Sequence, residues 1–315
     1  MIDPGTGPTE SIPLDRIDFS DSRFRIGRIH REDALARSVE MFGILCPPTL
    51  LATGNDYVII SGHNRLEAAR AVGTHAAECT VCQTISPRIF MKHALLKAYR
   101  GALGPAGKLR SVQIARSLGA DEIELGHTAI RGLGIPDEIY RDHAFISGVR
   151  ALPGELLRYI DQRDIGFKPL KSLMRLPAEG IGLIAQWVEE YYLRLNIFRD
   201  ALELMLDIYR KKGSIEEIAG ILPRPGADPH AEEERLHEAL FRIRYPEYSG
   251  IIAAADSIRE RYRDRGVSLV LPSRLEGGSV EARISFGRKD SIEKIGKAIG
   301  SIAPGDIRSL LDLLS

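Results

Sequence analysis

Cysteine is scarce, with three residues in a chain of 315, and the odd count leaves one thiol unpaired in any disulfide scheme. A chain of about twice the ~150-residue domain prior buries enough surface to fold without staples, so a disulfide scaffold is excluded. Long apolar runs are missing too. The longest stretch free of Asp, Glu, Lys and Arg is Met41–Asn55, fifteen residues broken by Gly43, Pro47, Pro48 and Gly54, short of the ~20 a bilayer span needs. The opening MIDPGTGPTE has neither the basic region nor the apolar core of a secretory signal. Net charge is also absent, 43 basic residues facing 43 acidic ones, so the total does not announce wholesale polyanion binding. The expected setting is reducing and cytoplasmic, with no membrane partner.

What is present divides into segments of different period. Residues 1–10 read as a disordered tail, and SIPLDRIDF alternates like a strand with Ile12, Leu14 and Ile17 inward. Leu35, Ser38, Val39 and Phe42 recur at helical spacing and Gly43 stops the run. PPTLLATG is followed by an Asn55-Asp56 turn, YVIISG reads as a buried strand ending at Gly62, HNRLEAARAVG as a helix, and AECTVCQTI as another strand. Residues 11–86 therefore form a small α/β domain. From 87 to 212 the strand pattern vanishes and an all-α region is expected, its longest helix running from IGLIAQWVEEYYLRLN into FRDALELMLDIYRKKG. Residues 213–234, with LPRPGADPHAEEE, read as a linker. Residues 235–315 read as helices around a β-hairpin with a Gly-Gly turn, GVSLVLPSRLEGGSVEARISFG. The fold class is α+β multidomain.

Charge is unevenly placed. Seven basic side chains (Arg88, Lys92, Lys97, Arg100, Lys108, Arg110, Arg116) lie between Arg88 and Arg116 with no acid among them, the footprint of phosphate contact. A solvated helix face beside an acidic neighbour gives the same pattern. Within it, LRSVQIARSLGADEIELGHTAIRGLGI has the form of a helix-turn-helix whose connection, ADEIELG, is longer than the usual three or four residues. Any tight helical hairpin would look similar. As a DNA-binding unit it offers Lys108, Arg110, Arg116 and Arg131 to phosphates, and Gln113, His127 and Thr128 as the readers of base edges.

The most specific string is YVIISGHNRLEAARAVG, a strand, a glycine turn and a helix start carrying His63, Asn64 and Arg65. Open backbone N–H groups beside a guanidinium suit phosphate or carboxylate, though polar residues also cap ordinary strand-to-helix turns. The remaining features are bland. Cys79 and Cys82 form a single CxxC on a predicted strand and read as buried structure, Cys46 as core, and Trp187, Tyr191 and Tyr192 as helix packing. No histidine has metal-ligand spacing.

The run SIPLDRIDF, DSRFRI, LARSVEMFGILCPPTLL and YVIISGHNRLEAARAVG resembles the ParB/sulfiredoxin-like N-terminal domain of ParB-type chromosome and plasmid partition proteins. The basic stretch with ALPGELLRYIDQRDIGFKPLKSLMRLP resembles the helix-turn-helix middle of that family, and VEARISFGRKDSIEKIGKAI its C-terminal dimerisation segment. The resemblance implies a cytoplasmic, nucleoid-associated homodimer that binds double-stranded DNA, works with a partition ATPase and uses a nucleotide effector, CTP or ATP with magnesium. The family's GERRxRA motif falls on Gly62–Ala68, keeping only Gly62, Arg65 and Ala68 and placing Glu67 where an arginine is expected. The ENLQR motif falls on residues 96–100 and keeps only Arg100. Arg23 and Arg25, in the first motif, remain as cationic contacts. The expected nucleotide or anion site is thus Arg23, Arg25, Gly62, His63, Asn64, Arg65 and Arg100. The GHxR form of the turn is also similar to that of free-serine kinases in the same superfamily, which makes a nucleotide-dependent small-molecule kinase the enzyme alternative. That reading needs a carboxylate base, with Asp21, Glu32 and Glu67 nearest in sequence. Sulfiredoxin chemistry would need a cysteine where His63 stands, and no carboxylate and histidine cluster suits a two-metal nuclease.

Overall fold

The computed structural model describes residues 9–27, 33–263, 267–272, 279–284 and 292–313, in two compact units divided between Glu234 and Arg235. In the first unit, the N-terminal alternation yields β1 (Thr9–Pro13), a 3-10 turn Leu14–Arg16 and β2 (Ile17–Asp18), with Pro13, opposite Ala76, as the last residue of the β1 ladder. Ile12, Leu14 and Ile17 are all buried. Then follow α1 (Asp33–Phe42), β3 (Thr49–Thr53), β4 (Asp56–Ser61), α2 (His63–Ala71) and β5 (Ala76–Cys82). The strands make one mixed sheet in the order β1-β5-β3-β4-β2. β1 runs antiparallel to β5 and β3 antiparallel to β4, while β3 with β5 and β2 with β4 are parallel. Leu50, Ile59, Leu66, Ala69 and Cys79 sit at 0–1% exposure in the core between this sheet and α1–α2. That burial makes Cys79 a packing residue and raises its thiol to about 11, far from a reactive thiolate. Cys46, expected in the core, is exposed, because it lies in the loop between α1 and β3.

Every regular element from Pro87 to Lys212 is helical: α3 (Pro87–Tyr99), α4 (Pro105–Ser117), α5 (Glu122–His127) with a π turn at Thr128–Gly132, α6 (Asp137–Tyr140), α7 (His143–Arg150), α8 (Gly154–Gln162), α9 (Phe167–Leu173), α10 (Ala178–Tyr191) and α11 (Leu195–Lys212). The single long helix expected over 181–213 is two. Tyr192 takes a left-handed conformation at φ 50°, with its ring edge-on to Tyr159 at 5.3 Å and the Arg163 guanidinium 4.5 Å above it. Leu193 is fully buried and its carbonyl accepts the Tyr159 hydroxyl at 2.7 Å. Tertiary contacts override a locally helical pattern here.

Residues 213–234, read as a linker, are packed structure. They include α12 (Glu216–Ala219) and the start of α13 (Pro229–Arg244). Ile215, Ile218 and Ile221 are buried, and Trp187 donates its indole N–H to the Ile221 carbonyl at 2.8 Å. Two buried acids hold the segment: Glu233 accepts the Arg194 amide at 2.6 Å and pairs with its guanidinium, and Glu232 pairs with Arg224.

In the second unit, α14 (Pro246–Arg263), the antiparallel pair β6 (Val267–Val270) and β7 (Glu281–Ile284), α15 (Ile292–Gly300) and α16 (Pro304–Asp312) follow one another. Ala255, Ile258, Tyr262, Val267, Leu269 and Leu310 form its core. The expected Gly-Gly turn at 277–278 and most of the expected N-terminal tail lie outside the described residues.

Candidate anion-binding site

The strand β4 ends at Ser61 and α2 begins at His63, so Gly62 makes the whole turn. It does so at φ 101°, a conformation open to glycine, and a Cβ there would stand 2.8 Å from that of Pro48. This turn aims the first amides of α2 and the side chains of His63, Asn64 and Arg65 at one cavity of about 160 Å³. Arg25 and Gly27 from the loop after β2, and Lys97 and Ala102 around the end of α3, complete its wall.

The polar groups are arranged unequally. Arg25 forks onto Glu67, Nη1 to Oε1 at 2.6 Å and Nη2 to Oε2 at 2.9 Å, and donates to Asn64 Oδ1 at 3.2 Å. Glu67, which stands where the family's motif has an arginine, has its carboxylate paired by that fork. Arg65 donates to the Cys46 carbonyl and is partly desolvated, with Arg100 as a like-charged neighbour. Lys97 is pushed down to about 8 by burial and by the charges of Arg65 and Arg25. His63 is 6% exposed and held down to about 3, first by burial and then by Arg25, Lys97 and Arg110, so its imidazole is neutral at pH 7. Its Nε2 and the Nε of Arg25 are buried with no hydrogen-bond partner among the described residues. Arg25, Arg65 and Lys97 thus crowd one opening beside a neutral imidazole whose Nε2 has no hydrogen-bond partner among the described residues, surroundings that favour negative charge.

Of the seven residues expected at this site, Arg25, Gly62, His63, Asn64 and Arg65 line the cavity. Arg23 instead pairs with Asp21 at 2.6 Å, and Arg100 is an exposed C-cap of α3. Lys97 was missed as a site residue. Its only sequence signal was its place, one helical turn before Arg100, inside the segment matched to the family's ENLQR motif.

The helix-turn-helix candidates are dispersed. Asp121 caps α5 through the amides of Ile123 and Glu124, at 3.0 and 2.9 Å, so the connection after α4 is Leu118–Asp121 and not the longer ADEIELG loop. Gln113 donates to the Ile146 carbonyl at 3.1 Å, and Arg110 to the Ser22 carbonyl at 2.6 Å. Arg116 pairs with Glu122 at 2.9 Å and covers the Tyr140 ring. Thr128 returns its hydroxyl to the Glu124 carbonyl at 2.9 Å. Lys108 is half-buried, and His127 and Arg131 are exposed. Asp121, Glu122 and Glu124 make the start of α5 acidic.

No family model and no curated protein matches the chain. Among solved structures, it is similar to the C-terminally truncated chromosome-partitioning protein ParB of Caulobacter crescentus. The form complexed with CTP-γ-S is 18% identical over 58% of this chain and 100% of that one, TM-score 0.26. The form complexed to the centromeric parS site is 15% identical over 62% and 98%, TM-score 0.30. A Pnob8-like ParB-N domain is 13% identical over 79% and 97%, TM-score 0.38.

Proposed function

We propose that this chain is a ParB-like DNA-binding protein of the partition type, whose cavity at the Gly62 turn receives the phosphates of a nucleotide effector. The observation that carries the reading is the convergence of Arg25, Arg65 and Lys97 with the first turn of α2 on one opening. A polyphosphate would replace the water lost by Lys97 with charge of opposite sign, and the partnerless Nε2 of neutral His63 would take one hydrogen bond. Magnesium does not fit the residues present. Glu67 is the nearest carboxylate and is committed to Arg25, and Asn64 Oδ1 accepts from the same guanidinium. No cluster of three metal-ligating side chains occurs among the described residues. Double-stranded DNA as partner, pairing of two copies through residues 235–315, a partition ATPase and a place on the nucleoid all follow from the sequence resemblance.

The test is calorimetric titration of the full chain with CTP, ATP, ADP and GTP, with and without magnesium and with and without mixed-sequence duplex DNA. Binding of a nucleotide lost in Arg65→Ala and in Lys97→Met, together with DNA affinity that falls steeply with salt, supports the reading. Absence of nucleotide binding removes the effector. Serine-dependent consumption of ATP or ADP without DNA binding would replace the whole reading by the kinase.

A further inference from the structure

A second cavity, about 230 Å³, opens between the Arg25–Gly27 loop, α4 and the α7–α8 corner. It shares only Arg25 and Gly27 with the lining of the cavity at the turn. Its floor is tightly built. Gly107 lets the Ile26 carbonyl rest on α4, where any Cβ would collide with that oxygen, and Asp161 accepts the amides of Ala106 and Gly107 at 2.8 and 3.2 Å. Ile26, Val149 and Leu157 supply apolar wall, and the surface inside is mostly carbon.

Four arginines line the cavity, and two of them are matched by acids: Arg25 is held by Glu67 at 2.6 Å and Arg158 by Glu155 at 3.2 Å. Arg110 reaches only the neutral Ser22 carbonyl, and Arg150 forms no ion pair with any described residue. Burial and the nearby charges of Arg150 and Arg25 all disfavour a cation at Arg110. Arg110 and Arg150 thus line one largely apolar hollow without an ion-pair partner among the described residues, and the Asp161 carboxylate in its floor accepts the amides of Ala106 and Gly107.

We propose that this cavity is a second ligand site, for a small organic anion with an apolar body, whose carboxylate, sulfonate or phosphate lies between Arg110 and Arg150 while its hydrocarbon part covers Ile26, Val149 and Leu157. The assignment does not depend on what the cavity at the turn binds.

Anilinonaphthalene sulfonate is a probe of that chemistry, with fluorescence that rises on entry into an apolar site. Titrated into the full chain, it binds saturably. Arg150→Gln and Leu157→Glu each weaken this binding at least ~10-fold, the first by removing the anion's partner and the second by placing a carboxylate in the hollow. Lys211→Gln, at an exposed position on α11, leaves it unchanged. Arg150 is exposed, so its variant keeps the wild-type melting temperature and separates lost binding from lost folding. Wild-type affinity in both cavity variants overturns the proposal. So does displacement of the dye by one equivalent of CTP, which would make the two cavities a single nucleotide site.

Discussion

At the scale of single residues, the turn cavity concentrates side chains that pay for their place in solvation. Lys97 has its folded pKa near 8 and an ordinary value of 10.5. Below pH 8 it is charged in both states and the folded state bears the desolvation cost. That cost is relieved as pH rises from 8 to 10.5, where the folded chain holds fewer protons than the unfolded one. Lys97→Met is therefore expected to raise stability at pH 7 by about 2 kcal/mol in urea unfolding while losing phosphate affinity. A bound polyphosphate stabilises the ammonium, so CTP affinity, measured by calorimetric titration across pH, should hold near pH 7.5 and decline above pH 8. His63 works in another window. With a folded value near 3 against 6.5, the unfolded chain binds more protons between those limits, and stability falls as pH drops through them. His63→Gln should lose less stability than wild type between pH 7 and pH 4.5, by about 2–3 kcal/mol, measured by denaturant unfolding at each pH.

At the scale of elements, one glycine and one buried acid decide two junctions. Gly62→Ala would meet Pro48 and force an alanine to φ 101°. It should cost ~2–4 kcal/mol and abolish anion binding, because the turn sets the direction of the α2 amides. Glu233, 4% exposed, receives the backbone amide and the guanidinium of Arg194 at the start of α11. Glu233→Ala leaves that amide without its acceptor, and a loss of ~2–4 kcal/mol in thermal or urea unfolding is expected. The break at Tyr192 and this cap are two halves of one corner. The apolar period continues smoothly from α10 into α11, and nothing local in EEYYLRLN says that the chain will turn.

At the scale of the whole molecule, charge balance hides opposite local surroundings. The basic run from Arg88 to Arg116 is not one positive face: Lys97 looks into the turn cavity, Arg110 into the second cavity, and Arg116 is matched by Glu122. Among the residues offered to DNA phosphates, Arg131 in the π turn is exposed and Lys108 half-buried. If that surface binds duplex DNA, Arg131→Ala should weaken binding evenly across sequences and lower the salt slope by about one. Arg116→Ala should instead reduce stability, since its guanidinium is spent inside the fold.

The sequence by itself determined the helices that begin near Asp33 and His63, the strands YVIIS and AECTVC, the helical character of 87–212 and the glycine turn before His63, because apolar period, β-branched runs and glycine act over a few neighbours. SIPLDRIDF, by contrast, is two strands about a 3-10 turn and not one. Five of the seven residues the sequence offered to an anion line one cavity, since they share a short loop, a turn and one helix start. Tertiary structure alone decided that Lys97 joins them, that Glu67 is silenced by Arg25, that Gln113 and Arg116 serve packing, that the 213–234 segment is core and that the long helix breaks at Tyr192. Each of these depends on which groups meet through space. Burial and Coulomb energy are set by neighbours tens of residues away, and a periodic pattern names the face a side chain occupies without naming what that face will touch.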